Sequence, residues 1–287
     1  MNNGQGAAAV AVATGGWSRR KRLQLLVGIL FFILIGLAVY GSVLPESAYG
    51  MDYAQKNLAP SLTHPFGTDY MGRDMFMRSL KGLSISLQIG FLAAFISSCV
   101  ALVLGTLSAT FGGKVDKFVI WLVDLCMGVP HILLILMISV MLGGGIKGVV
   151  IGVVVTHWPR LTRVIRAEVM QLRIQPYVMA ARGYGKDSYT IARTHFVPHV
   201  FPQYIIGLVL LFPHAIMHEA AISFLGYGLP LDMPAIGIIL SESMRYMATG
   251  AWWLAFFPGA LLLVVVLLFE RLGDLLETII DPLRAHE

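Results

Sequence analysis

The chain reads as an all-α, polytopic membrane protein with six transmembrane helices. Composition is the first reason. Of 287 residues, 57% are hydrophobic and 13% charged, with mean hydropathy +0.75, whereas soluble domains carry about a quarter charged residues. The second reason is a set of long runs without Asp, Glu, Lys or Arg, close to or beyond the roughly 20 residues that cross a bilayer. They are 23–45, 82–113, 194–218 and 246–269. A fifth, 118–146, is interrupted by Asp124, and a sixth, 148–159, can continue as helix through the arginines after it.

Residues 1–22 are expected to form a disordered cytoplasmic N-terminus, since 1–16 are mostly Gly, Ala, Asn and Val without periodicity. The apolar stretch after Arg19-Arg20-Lys21-Arg22 is longer than the 7–15 residues of a signal-peptide core. It is therefore a retained anchor, 23–44. An external loop over 45–81 follows, then a core of five further spans over 82–273 and a cytoplasmic tail over 274–287. With both termini inside, the cytoplasmic face receives 15 of the 21 Lys and Arg residues and the outside 6, as the positive-inside rule requires. The net charge of +5 is thus topological, and nothing points to nucleic acid. Cys99 and Cys126 fall inside spans with no paired spacing, which argues against a disulfide or thiolate metal site.

Two polar segments interrupt the apolar pattern. In 176–198, Pro176 suits a first helical turn, and Tyr177-Val178-Met179-Ala180-Ala181-Arg182 continues that turn. Gly185 can end it, Asp187 or Ser188 can cap a second helix, and Pro198 marks re-entry into a span. Ala180 and Ala181 leave a helix face small enough to sit deep in a partner's groove. In the external loop, Gly67-Thr68-Asp69-Tyr70-Met71-Gly72-Arg73-Asp74 supplies two turn glycines and an Asp74 cap for a helix beginning at Met75.

The two segments together resemble one particular family. Ala-Ala-x-x-x-Gly with a proline thirteen residues on is similar to the cytoplasmic coupling loop of ABC importer permeases. Gly-Thr-Asp-x-x-Gly-Arg-Asp resembles the second permease of the dipeptide, oligopeptide and nickel importers. So do Asp124 with Pro130, His195-x-x-Pro198, Ser223-Phe-Leu-Gly226-Tyr-Gly228, Trp252-Trp253, Phe257-Pro258-Gly259, Gly273-Asp274 and Asp281-Pro282. The resemblance implies a type I importer fold in a bacterial cytoplasmic (inner) membrane. It also implies a second homologous permease chain, two ATPase subunits and an external substrate-binding protein as partners. Tyr177, Met179, Ala180, Ala181, Arg182, Gly185 and Pro198 would couple to the ATPase. Met179 stands where the general pattern has Glu.

No Gly-x-x-x-x-Gly-Lys-Ser/Thr loop is present. The chain is expected to be non-catalytic and to bind no cofactor, with ATP and Mg on the partner ATPases. ATP binding there would pull the coupling helix and swing the spans in alternating access, with Pro130 and Pro213 as candidate kinks.

Ionisable residues inside spans cost about 2.5–3.5 kcal/mol on insertion scales and usually face a cavity or a polar partner. Asp124, His131, His157 and Glu219 are the pathway candidates. His214 and His218, four apart on one helix face, are the metal candidates, since neutral imidazole suits nickel, zinc or copper. His214-x-x-x-His218, with His157-Trp158, resembles the nickel branch, so nickel or a metal chelate is the expected cargo and a dipeptide or oligopeptide the alternative. The competing use of these side chains is an internal polar network that fixes helix packing. Two other classes fit less well. An intramembrane metalloprotease would need His-Glu-x-x-His, and a secondary transporter commonly has repeated halves.

Overall fold

The computed structural model describes residues 19–280. The expectations for 1–18 and 281–287, including Asp281-Pro282, lie outside the described residues. Among the described residues no strand is formed, apart from an isolated bridge between Thr68 and Asp74 in the loop that precedes the main bundle.

Helix α1 (Arg19–Val43) starts four residues before the expected anchor. Only 6% of its apolar window is buried inside the chain, as a lipid-facing or partner-facing anchor requires. After the loop comes α2 (Met75–Phe111), whose 37 residues span about 55 Å at 1.5 Å per residue. Asp74 caps it by accepting the Met77 N–H at 2.9 Å.

The stretch 118–146 is not one continuous span. Helix α3 (Gly113–Met127) and helix α4 (His131–Met141) meet at 91°. The cause is local. Pro130 has no N–H to donate, and its ring pushes Val129 out of helical space. Gly128 closes α3 by donating to the Asp124 carbonyl at 2.9 Å, and the Pro130 carbonyl then accepts the first bonds of α4, from Leu133 and Leu134. Three consecutive glycines with positive φ, Gly143 to Gly145, turn the chain into α5 (Gly145–Arg173).

Helix α6 (Pro176–Gly183), α7 (Ser188–Ile191) and a π-helical turn (Ala192–Phe196) lead into α8 (Val197–Phe224). From Ser188 to Phe224 the helical path is unbroken. Pro198 lies in the first turn of α8, and Pro202 and Pro213 lie inside it. The π turn directly ahead of Pro198 is where the ladder loses its regular i→i−4 register. Helix α9 (Ile236–Met244) is too short to span and was not expected. Helix α10 (Trp253–Ile280) closes the bundle.

Four segments are long and apolar enough to cross a membrane, and the bent α3–α4 pair makes a fifth if counted as one. Helix α5 stands where another span was expected, but Arg160, Arg163, Arg166, Glu168 and Arg173 end its apolar character beyond Pro159. One core cluster joins α1, α2, α4, α5, α8, α9 and α10 through residues such as Leu83, Ile135, Val149, Ile216, Ile236 and Val265. A second joins α2, α3 and α5 to the 176–198 segment through Val123, Ile165, Val178, Ile191 and Phe196.

Candidate functional site

The bend between α3 and α4, the middle of α5 and the middle of α8 line an open cavity of about 820 Å³. His131 sits at the first position of α4, so the Pro130 break delivers its ring to this cavity rather than along a continuous helix. His157 comes from α5 and His218 from α8. Their ring centroids are 4.6 Å (His131–His157), 4.7 Å (His131–His218) and 5.2 Å (His157–His218) apart. One nitrogen from each lies within 4.8 Å of the others. His157 is 5% exposed. Its Nδ1 is 2.9 Å from the Val153 carbonyl and 3.1 Å from the Thr156 hydroxyl.

His214 lines the same cavity but stands outside this trio. It is exposed, with Nδ1 3.0 Å from the Leu210 carbonyl. The structure thus brings His218 together with His131 and His157 rather than with the neighbour four residues before it. Asp124 and Glu219 are not among the cavity's lining residues. Asp124 is exposed on the chain's surface and paired with Arg163 at 2.5 Å. Glu219 is fully buried, accepts the Ser223 hydroxyl at 2.8 Å and has the Ser86 hydroxyl beside it. It serves the packing network between α2 and α8. Gln203 and Arg160 also line the cavity. Gln203 has a sequence signal that went unused, because positions 203, 207, 210, 214 and 218 follow the three-to-four spacing of one helix face.

The second candidate site is the 176–198 segment, which has two faces. Val178, Ile191 and Phe196 are fully buried and Ala181 nearly so, all in the second core cluster. Tyr177, Met179, Ala180, Arg182 and Tyr184 are exposed, Tyr184 at 89%. Gly185, at φ +81°, ends α6 in a Schellman arrangement. Its N–H donates to the Arg182 carbonyl at 2.9 Å, and the Lys186 N–H reaches back to Ala181 at 3.1 Å. Asp187 caps α7 by accepting from Tyr189 and Thr190. The Thr190 hydroxyl and these backbone N–H groups hold its carboxyl below the ordinary carboxylate range.

The 67–74 motif has a structural task. The Thr68 hydroxyl donates to Gln55 O at 2.5 Å and accepts the Leu58 N–H at 2.9 Å. Buried Asp69 accepts from the Met71 and Arg73 backbones at 2.9 and 3.0 Å and pairs with the Arg73 side chain at 2.6 Å. Arg73 and Arg78 then share Glu242 of α9. Burial would lower the Arg73 pKa, but the Asp69 and Glu242 carboxylates outweigh that and hold it above the ordinary value. Gly72, at φ +75°, packs its α-carbon against the Asp52 carbonyl, where a Cβ would collide. Asp74 also meets His64 Nδ1 at 2.7 Å.

Residues 101–282 match the family model described as "Binding-protein-dependent transport system inner membrane component". The dipeptide transport system permease protein DppC of Bacillus subtilis is 31% identical over 269 residues, covering 93% of this chain and 84% of the relative. OppC, the oligopeptide permease protein of the same organism, is 30% identical over 269 residues, with 92% and 87% covered. DppC of Alkalihalophilus pseudofirmus is 33% identical over 267 residues, with 92% and 87% covered. In fold, the chain resembles a chain of the MetNI methionine ABC transporter in an inward-facing conformation. The TM-score is 0.57 at 21% identity, covering 71% of this chain and 97% of that one. The chain is thus a multi-pass membrane protein of the type I importer permease fold, and it belongs to the family of binding-protein-dependent transport system inner membrane components.

Proposed function

We propose that this chain forms half of the translocation pathway of an ATP-driven peptide importer. It would act with a second homologous permease, two ATPase subunits that hold ATP and Mg, and an external binding protein. Both termini would lie in the cytoplasm. The observation that carries this reading is the two-faced segment 176–198. Its inner residues Val178, Ile191 and Phe196 are locked into the core of α2, α3 and α5, while Tyr177, Met179, Ala180 and Arg182 are presented outward. A push on that outer face is delivered directly to α5 and α8, the two helices that wall the cavity. The cavity is large enough for a short peptide and small for a folded protein. Peptide takes precedence over nickel or a metal chelate as cargo, because the relatives DppC and OppC are dipeptide and oligopeptide permease proteins.

The test is uptake of labelled dipeptides and tripeptides into proteoliposomes that hold the complete importer, with ATP inside and binding protein outside. Saturable, ATP-dependent peptide accumulation is expected. Accumulation of nickel or a nickel chelate, with no competition from short peptides, would overturn the cargo assignment and leave the permease role intact. Assembly with no ATP-dependent transport of either class would overturn the importer reading itself.

A further inference from the structure

We infer that His131, His157 and His218 form a three-imidazole binding site for a divalent first-row transition metal ion, with its fourth coordination position open to the cavity. The inference rests on side-chain placement and does not depend on which cargo the importer carries.

Three side chains from three helices converge with one nitrogen each inside a 4.8 Å limit. Helix packing alone does not need that convergence, and no two of the three are sequence neighbours. His157 is the key member. Its Nδ1 lies 2.9 Å from the Val153 carbonyl, an oxygen that can only accept. The proton must therefore sit on Nδ1, which leaves Nε2 as a bare lone pair. That Nε2 is buried and, among the described residues, has no hydrogen-bond partner. An imidazole whose Nδ1–H is held by a backbone carbonyl, leaving a buried, unpartnered Nε2 lone pair within a cluster of imidazoles, has the usual arrangement of a metal-ligating histidine. A buried acceptor left unsatisfied is otherwise costly, by about 1–3 kcal/mol, so an ion there would relieve a cost the fold already carries.

Geometry and charge define the ligand class. Nitrogens about 2.0–2.1 Å from a tetrahedral ion sit roughly 3.4 Å apart. From a 4.8 Å limit the rings must close by at most about 1.5 Å. His131 and His218 are only partly buried, and both line the cavity. Neutral imidazole favours zinc, copper and nickel over magnesium and calcium. Three such ligands with one position left open is also the count found at zinc sites that keep an exchangeable ligand. Arg160 and Gln203 stand on the same cavity wall. The ion adds two positive charges to that of Arg160, so an anionic oxygen donor from the cavity is the fitting fourth ligand.

The experiment uses the complete, metal-stripped importer in detergent, titrated with Co²⁺ and with Zn²⁺ at neutral pH. One ion should bind per copy of this chain, with the intense visible bands of four-coordinate Co²⁺ that Zn²⁺ then bleaches. His131→Asn and His218→Asn should each weaken binding by at least the 10- to 100-fold that loss of a supporting group alone produces. His214→Ala should leave it unchanged. Subunit stoichiometry and thermal midpoint are recorded for each variant, and either of the two half-buried positions suffices if the other fails to assemble. Binding no stronger than in the His131→Asn/His218→Asn double variant overturns the inference. So does loss of the ion in His214→Ala with retention in His131→Asn, which would assign it to the pair on α8.

Discussion

Arg78 Nη2 lies 2.7 Å from Glu242 Oε2, tying the first turn of the longest helix to the short helix α9. The same guanidinium is 3.4 Å from Asp69 and its side chain is only 4% exposed. Removing one member of a buried charged network leaves the others uncompensated, at about 3–5 kcal/mol. Arg78→Met should therefore lower the thermal midpoint and assembly yield sharply, and Glu242→Gln should do so less, because its amide still accepts. A variant at Arg78 as stable as the native importer would show that the loop and α9 are held by something else.

Gly185 sets the exit angle of α6. A side chain in the left-handed region costs about 1–2 kcal/mol, and at φ +81° that strain falls on the Schellman bonds to Ala181 and Arg182. Gly185→Val should retain assembly and basal ATP hydrolysis while reducing peptide uptake per ATP hydrolysed. Equal coupling ratios in the two proteins would contradict this.

Asp187 gives a pH dependence with a definite sign. Its folded pKa is depressed, first by the Thr190 hydroxyl and then by backbone N–H groups. Its contribution is therefore present above the unfolded value of about 3.9 and is lost as pH falls through the lower folded value. Amide exchange at Tyr189 and Thr190, corrected for intrinsic rates, should keep its protection at pH 5 and lose it on further acidification. Asp187→Asn should flatten that profile, and a native profile already flat would remove the cap from the account.

Cys126 lines the cavity, whereas Cys99 contacts Tyr204. Among the described residues these are the only thiols. In a Cys99→Ser background, Cys126 should react with a small water-soluble alkylating reagent when the cavity is open to solvent, and transported peptide should slow the reaction. Mass-spectrometric labelling rates with and without peptide check this. Labelling insensitive to a peptide that is demonstrably transported would place the pathway elsewhere.

Much of the architecture was legible because a bilayer enforces long apolar runs. The anchor, α2, α8 and α10 were visible as such, and Asp74 and Asp187 announced the helices they cap. Periodicity alone did not reveal the 91° break at Pro130, since a proline inside an apolar run can kink a helix or end it, and only packing decides which. Helix α9 was missed because nine residues after Pro234 are too few to register as a span. The histidine cluster was half legible. Spacing shows neighbours along one helix, hence His214 with His218. The convergence of His131, His157 and His218 exists only once α4, α5 and α8 are packed together. The Gly67–Asp74 motif was identified by resemblance, but its role in tying α9 to α2 requires Glu242, which lies 169 residues from Arg73.

The helical path from Ser188 to Phe224 is continuous through a π turn and two internal prolines, and it links two different sites. Thr190, in the 176–198 segment, and His218, in the cavity, are 28 positions apart, about 42 Å along the axis. Over that arm a tilt of only about 5° displaces one end by about 4 Å relative to the other. That travel is comparable to the spacing of the imidazole rings, 4.6–5.2 Å between centroids, so a tilt of this size along the path would carry His218 out of reach of His131 and His157.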